Sequence, residues 1–564
     1  MISLRDFAEK IFHKLPLRIR MILLNTYYAM RSGEIYTSPD HFPLNYIMKM
    51  NLPIFGKSEQ EGYFYRYYQE KEVVRLLSPE DLFKFKYEVI YGELINNRKI
   101  EISCDEDYVF PISLENERDV LTITYDDNLS EKQKNLASKR FHYFNADKGS
   151  KYEIESEKGF VIGKPICLKQ KKAHSKKLVL CLFIDGLAHT SQINFYSLKQ
   201  LMPNTSVFFS EGVKFENHYS NAEWTLPSVP SFFTGRRQQG HGFFGPKEPH
   251  RIGEGYKILS EIFKENEYLT FQASGNWRMS PAYGYIKGFD RSIYKKEMDA
   301  KEIIYSFLEH MRAFKGRDNF AWLSITDVHH LLSVIPDVSN QVANKKSICV
   351  TPWYDPDNKA KSVFTSKNDN LIEIYINEIK RLDYYLKIIY DYIEDNYSSD
   401  EILVTLVSDH GQAFLTSDQH PLSVARTKVP WLIRGEGIPR HDSYEFTENI
   451  DVFSTLIKCC ELESYEDVLS SQLPTILGGK AAREYVFRQS IYPGQTYKAV
   501  IRDEFCEYRF ESNQAVKPTG SIGGGLEIVD TLHINESEKK QVEQDSEKYK
   551  KIILSRIEEW NDRF

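Results

Sequence analysis

No apolar run in this chain approaches the ~20 residues a helix needs to cross a bilayer, so no transmembrane segment is expected. The opening Met1-Ile2-Ser3-Leu4-Arg5-Asp6 carries an acid early, with no long apolar stretch behind it, so no secretory signal is expected. Cysteine is sparse. The seven residues are odd in number, and their spacing matches neither a zinc site nor a disulfide framework. Cys181 falls in a strand pattern and Cys459-Cys460 in a helical one, which reads as buried small apolar side chains. A reducing compartment, the cytoplasm, is the expectation. Positive charge is not in excess: the net charge of −7 argues against a general nucleic-acid binder. With 41% hydrophobic and 27% charged residues the composition is globular, and 564 residues suffice for several domains.

Residues 1–172 read as an N-terminal accessory domain without a recognisable motif, with helical stretches near 5–30 and 59–77 and a strand-like section over 87–125. Residues 7–30 mix apolar side chains with Lys10, Lys14, Arg18 and Arg20. Such a helix packs on a core or lies peripherally on a membrane surface. Lys169–Lys177 is a charged connector. From 173 to 480, strand runs at 178–184, 319–325, 402–407 and 429–433 alternate with helical runs at 191–201, 254–265, 299–313 and 369–394. That alternation predicts an α/β fold, a three-layer α/β/α sandwich around a mostly parallel sheet. Residues 481–564 read as a small antiparallel subdomain with a hairpin over 497–510, a glycine-rich turn at 520–525 and a charged terminal helix.

Two strand runs stop on a carboxylate: Leu178–Ile184 before Asp185-Gly186, and Ile402–Val407 before Ser408-Asp409-His410-Gly411. Buried parallel strands read as continuous apolar runs, and open α/β sheets place their sites at the carboxyl ends of such strands. Asp185, Asp409 and His410 are therefore expected to converge and to suit one divalent ion. Thr225 precedes Leu226-Pro227-Ser228, a helix-start pattern. An N-cap threonine explains it; so does a hydroxyl that gives up its proton beside a metal and attacks phosphorus or sulfur. The run 321–325 leads into Thr326-Asp327-Val328-His329-His330, and His420 lies ten residues past His410. Extra imidazoles near a metal suit transfer of a charged tetrahedral group, by binding its oxygens or protonating a leaving group.

Together these segments resemble the alkaline phosphatase and sulfatase superfamily over about residues 178–530, with no resemblance visible before them. In sulfatases a Cys or Ser, within Cys/Ser-x-Pro-x-Arg, becomes formylglycine. Here the matching stretch is Thr225-Leu226-Pro227-Ser228-Val229, with Thr at the reactive position and Val229 in place of Arg. The set looks like that of phosphoethanolamine and phosphoglycerol transferases, which pass a substituted phosphoryl group through a phospho-threonine to a sugar. The resemblance implies Thr225 as nucleophile and Asp185, Thr225, Asp409 and His410 around one Zn, Mn or Mg ion. It implies His329 and His420 as substrate-binding residues, with His330 a weaker candidate. A second metal would draw on Asp327, His329 and His420. The implied partners are a phosphodiester donor and a sugar or polysaccharide-precursor acceptor. Hydrolysis by a phosphodiesterase, phosphatase or atypical sulfatase is the alternative, and a non-catalytic scaffold in polysaccharide assembly is another.

Overall fold

Leu178–Ile184, Asn319–Ile325 and Ile402–Val407 are buried at every position, as strands covered on both faces must be. They form the centre of the sheet. The computed structural model describes residues 61–562 apart from 69–85, 96–98, 115–118, 126–128, 135, 137–139, 171, 195, 246–251, 254, 330–364, 464–469, 524–525 and 534–538. The expected helix at 5–30, with its membrane-facing reading, lies outside the described residues. No helix among the described residues is long and apolar enough to cross a membrane.

By its contacts the chain divides into two units. The first comprises residues 1–169 with the short segments 280–286 and 290–296. Its described part is antiparallel β. Lys86–Ile95 pairs with Glu61–Tyr68 and with Phe160–Gly163, which in turn pairs with Tyr108–Leu114. A second sheet joins Lys99–Ser103, Lys151–Ser156, Leu121–Tyr125 and Leu129–Gln133. Ile112, Leu114, Leu121, Ile123, Ile154 and Phe160 share one core. The expected helix near 59–77 is corrected over 61–68. Gly62-Tyr63-Phe64-Tyr65 and Tyr67-Tyr68 suit a pleated strand, and the segment runs in register from Glu61 opposite Glu93 to Tyr68 opposite Lys86.

The second unit contains the remainder. Its sheet is built from β1 (Leu178–Ile184), β2 (Gly212–Tyr219), β3 (Leu269–Ser274), β4 (Asn319–Ile325), β5 (Ile402–Val407), β6 (Trp431–Gly435) and β7 (Asp442–Glu448). The order is β3-β4-β1-β5-β6-β2-β7. All neighbouring pairs are parallel except those made by β6, which alone runs the other way. The sequence places a strand at 429–433, and the structure shifts it to Trp431–Gly435. β1 lies between β4 and β5, with Ile184 opposite Ile325 and Phe183 opposite Val407. Strands far apart in sequence thus end side by side at one edge, the topological position where such sheets bind ligands.

Helix α1 (Thr225–Thr234) is buried at all its positions and ends where Gly235 adopts φ 63°. Helix α2 (Ala300–Ala313) starts on an Asp299 cap and α3 (Asp369–Asn396) on an Asn368 cap, each side chain accepting a backbone N–H of the first turn. The expected helix at 191–201 is instead a turn at Thr190–Gln192 and one helical turn at Leu198–Leu201, interrupted where Asn194 adopts φ 45°. Towards the C-terminus, Val486–Ser490, Thr496–Arg502, Cys506–Ala515 and Leu526–His533 form an antiparallel sheet. The hairpin turns at Asp503, which accepts the Phe505 and Cys506 N–H groups. Helix α4 (Lys539–Asn561) packs Tyr549, Ile553, Ile557 and Trp560 on this sheet.

Candidate active site

Strands β1, β3, β4 and β5 each hand the chain to a polar residue at the same edge. After β1 comes Asp185, 3% exposed, whose N–H donates to the Ile325 carbonyl at 2.9 Å. After β5 comes Asp409, fully buried, then His410. After β4 the chain turns through Thr326 to His329. After β3 comes Asn276, also fully buried. Thr225 is the first residue of α1, where unpaired backbone N–H groups favour an anion.

The side chains meet. Thr225 Oγ1 lies 3.5 Å from Asp185 Oδ1 and 3.3 Å from His410 Nε2. His410 Nε2 is 3.5 Å from both Asp185 Oδ1 and Asp409 Oδ2, and His329 Nε2 is 3.7 Å from Asp185 Oδ1. His410 Nδ1 sits 2.8 Å from the Gly411 carbonyl, which can only accept. The proton is therefore on Nδ1, and the Nε2 lone pair faces the carboxylates. Burial lowers the His410 pKa, which keeps the ring neutral.

This donor set fits a cation. Asp409 Oδ2 is buried and has no hydrogen-bond partner among the described residues, a costly state for a carboxylate oxygen. Burial, and then the nearby Asp409, push the Asp185 carboxyl well above its usual range. Two buried carboxylates facing one imidazole are stabilised by a shared positive ion. Asp185, His329 and His410 each turn one ligand atom into a cluster within 4.8 Å.

The scaffold around these residues explains their positions. Gly186 adopts φ 77°, and a Cβ there would meet Gln412 Nε2 at 2.6 Å and His329 Cδ2 at 3.2 Å; only glycine suits this turn. Gln412 Nε2 donates to the carbonyls of Gly186 and Val328, both at 3.2 Å, and so ties the Asp185 turn to the His329 turn. The Tyr375 hydroxyl donates to the Gly186 carbonyl and accepts the Ala188 N–H, each at 2.8 Å. Arg426 Nη2 donates to the Glu223 carbonyl, while the Arg426 carbonyl accepts the Gly411 N–H at 2.6 Å. One residue thus joins the Thr225 loop to the Asp409 loop.

Two expected residues make their hydrogen bonds and ion pairs outside this cluster. Asp327 has both oxygens engaged, one with the Ala300 N–H at 2.9 Å and the other with Arg381 Nη2 at 2.6 Å. Its carboxyl is buried and raised to about 6. It anchors α2 and α3, and the second-metal role expected of it does not fit. His420 accepts the Leu422 N–H on Nδ1 at 3.2 Å. Its loop is held by Asp418 to Arg509 of the C-terminal sheet, and burial pushes the ring pKa down to about 4. No hydrogen bond, ion pair or ring contact among the described residues joins it to Asp185 or His410. His330 lies outside the described residues.

Two residues escaped the sequence reading. Asn276 Nδ2 donates to Asp185 Oδ2 at 2.6 Å and orients that carboxylate. Its Oδ1 accepts the Arg278 N–H at 2.8 Å. The Arg278 guanidinium stands 3.8 Å from the Trp277 ring centre and 5.1 Å from that of Trp224, the neighbour of Thr225. The missing signal was β3 itself, Leu-Thr-Phe-Gln-Ala-Ser, which lacks the continuous apolar run of β1 and β5.

A family model described as Sulfatase matches residues 177–462, the span that carries every residue of this cluster. The chain belongs to the sulfatase family. It is an enzyme of the sulfatase-like hydrolase type, within the alkaline phosphatase and sulfatase superfamily. No curated protein sequence is matched. Among solved structures, a phosphonate monoester hydrolase of Agrobacterium radiobacter is similar at 16% identity and a TM-score of 0.51, over 68% of this chain and 95% of that one. YidJ of Bacteroides fragilis, a suggested sulfatase, is similar at 13% identity and a TM-score of 0.51, over 70% of this chain and 98% of that one. Both likenesses show the fold alone.

Proposed function

We propose that this protein transfers a substituted phosphoryl group through a phospho-threonine at Thr225, onto a sugar or polysaccharide-precursor hydroxyl. The observation that carries the reading is the Thr225 hydroxyl, 3.3 Å from His410 Nε2 and 3.5 Å from Asp185 Oδ1 at a helix N-terminus. Threonine cannot become formylglycine, so the aldehyde route of sulfatases is closed to this chain. A hydroxyl so placed is a nucleophile suited to a tetrahedral anion.

Asp185, Asp409, His410 and Thr225 would hold one divalent ion, with His329 beside them. The mixed oxygen and imidazole donors suit zinc, manganese or magnesium. When bound, the ion lowers the pKa of a hydroxyl and neutralises phosphoryl charge. Thr225 Oγ1, its proton released to water, attacks phosphorus in line. The new P–Oγ bond forms as the ester P–O bond to the leaving group breaks. His329 Nε2 binds a phosphoryl oxygen or protonates the leaving oxygen. A second displacement, by an acceptor hydroxyl, breaks the P–Oγ bond and restores threonine. Two in-line inversions give retention at phosphorus. The α1 N-terminus and Arg278 stabilise the equatorial charge.

Hydrolysis is the second reading, and membership of the sulfatase family favours it. In that case water replaces the sugar in the second displacement. Product analysis with phosphodiester donors, with and without a sugar acceptor, tests the assignment. Phosphoryl-sugar formed at the expense of free phosphoester supports transfer. Release of phosphoester unchanged by any acceptor overturns it in favour of hydrolysis. Stoichiometric metal with no turnover would favour the scaffold reading.

A further inference from the structure

Thr225 heads α1; beyond the other end of that helix, ~15 Å away at 1.5 Å per residue, the chain turns at Gly235 and presents Arg237. Arg237 lines a cavity of about 470 Å³ with Arg483, Arg556, Ser470, Gln472 and Tyr485. None of these residues serves the Thr225 centre.

The charges in this cavity do not balance. Arg237 Nη2 is 2.5 Å from Glu448 Oε2, and its Nη1 donates to the Phe487 carbonyl at 3.2 Å. Glu448 is already committed, since it also accepts from Asn221 Nδ2 and the Phe487 N–H. Arg483 makes a two-pronged pair with Asp451, which also accepts the Gln472 N–H. Both carboxylates are buried. Glu448 and Asp451 lie behind the lining; the acid in the lining, Glu484, pairs with Lys548 at 2.9 Å and projects outward with its side chain 75% exposed. That leaves Arg556 on α4. Its guanidinium stands 4.7 Å from the Phe487 ring centre, and its Nε is buried without a hydrogen-bond partner among the described residues. Burial, opposed by Glu448 and reinforced by the like charges of Arg556 and Arg483, lowers the Arg237 pKa to about 10. Three guanidiniums face two buried carboxylates, and a buried N–H such as Arg556 Nε is costly to leave without an acceptor.

We propose that this cavity is a second anion site, which takes the phosphate or sulfate group of a small organic ester. Guanidinium groups match a tetrahedral oxyanion with paired N–H donors. Ser470, Gln472 and Tyr485 add neutral polar groups. A volume of 470 Å³ exceeds that of a bare ion and falls in the range of small-molecule sites. The length of α1 separates the bound anion from Thr225, so it is a distal charge of a long substrate or a separate effector.

The test uses the full chain stripped of divalent metal, so that Asp185 and Asp409 repel anions from the Thr225 centre. Inorganic phosphate and inorganic sulfate are titrated separately by calorimetry. The expected result is one site per chain for either ion, unchanged in Thr225→Ala and weakened about tenfold or more in Arg556→Gln. Gln472→Glu, which puts a carboxylate in the cavity, is expected to weaken both ions likewise, and decides the matter should Arg556→Gln fold poorly. No binding by the metal-free chain, affinity unchanged from the unmutated chain in both cavity variants, or loss of binding in Thr225→Ala would each overturn the assignment.

Discussion

His410 Nε2 stands 3.3 Å from the hydroxyl of Thr225, although 185 residues separate them in the chain. The ring reaches that position because its other nitrogen is fixed on the Gly411 carbonyl. The hydroxyl reaches it because α1 begins at Thr225. Removing the hydroxyl should therefore abolish chemistry without disturbing the fold. Thr225→Ala is expected to lose about 10³-fold or more in kcat while keeping its melting temperature within a few degrees. Steady-state kinetics on a phosphodiester beside a thermal melt checks both halves.

Asn276 is expected to act through Asp185. With its 2.6 Å hydrogen bond removed, Asp185 loses its orientation, and outer partners of metal ligands typically contribute ~10–100-fold in affinity. Asn276→Ala should weaken Mn or Zn binding by that order in a competition titration. An unchanged metal affinity would detach Asn276 from the ion.

Gly186 is predicted to tolerate no side chain. Gly186→Ala combines a left-handed backbone with a Cβ 2.6 Å from Gln412 Nε2. The backbone strain alone costs about 1–3 kcal/mol. Denaturant unfolding should register that loss, and turnover should fall further because Gln412 also braces the His329 turn.

Acid should loosen the C-terminal sheet through Glu507. Burial alone would raise its pKa, but Arg488, Arg509 and Arg502 outweigh that and hold it at about 2. Its folded pKa is thus depressed below the unfolded value of ~4.3. The stabilisation is present above that value and is lost as pH falls from there towards 2. Glu507→Gln should lower stability near neutrality, where it strands buried Arg488. It should also flatten the acid limb of a stability-versus-pH curve.

The sheet centre was legible because β1, β4 and β5 carry largely apolar runs that stop on polar residues. The same contrast located Asp185, Asp409, His410 and His329. β2 and β7 were not legible, since each mixes charged and apolar side chains. Their place in the sheet is set by pairing with β6 and with each other. Asp327 misled for a definite reason: a carboxylate after an apolar strand marks a ligand or an ion pair, and only the position of Arg381 on α3 decides between them.

Transfer through Thr225 requires a covalent phosphoryl group on its hydroxyl. The metal-loaded protein would be incubated with phosphoethanolamine, phosphoglycerol and nucleotide-linked donors, acid-quenched, and read by intact mass and peptide mapping. An adduct is expected on the peptide containing Thr225, with a mass that identifies the transferred group, and none in Thr225→Ala. Turnover of a donor by Thr225→Ala at the unmutated rate, with no adduct at Thr225 in the unmutated protein at any quench time, would contradict it.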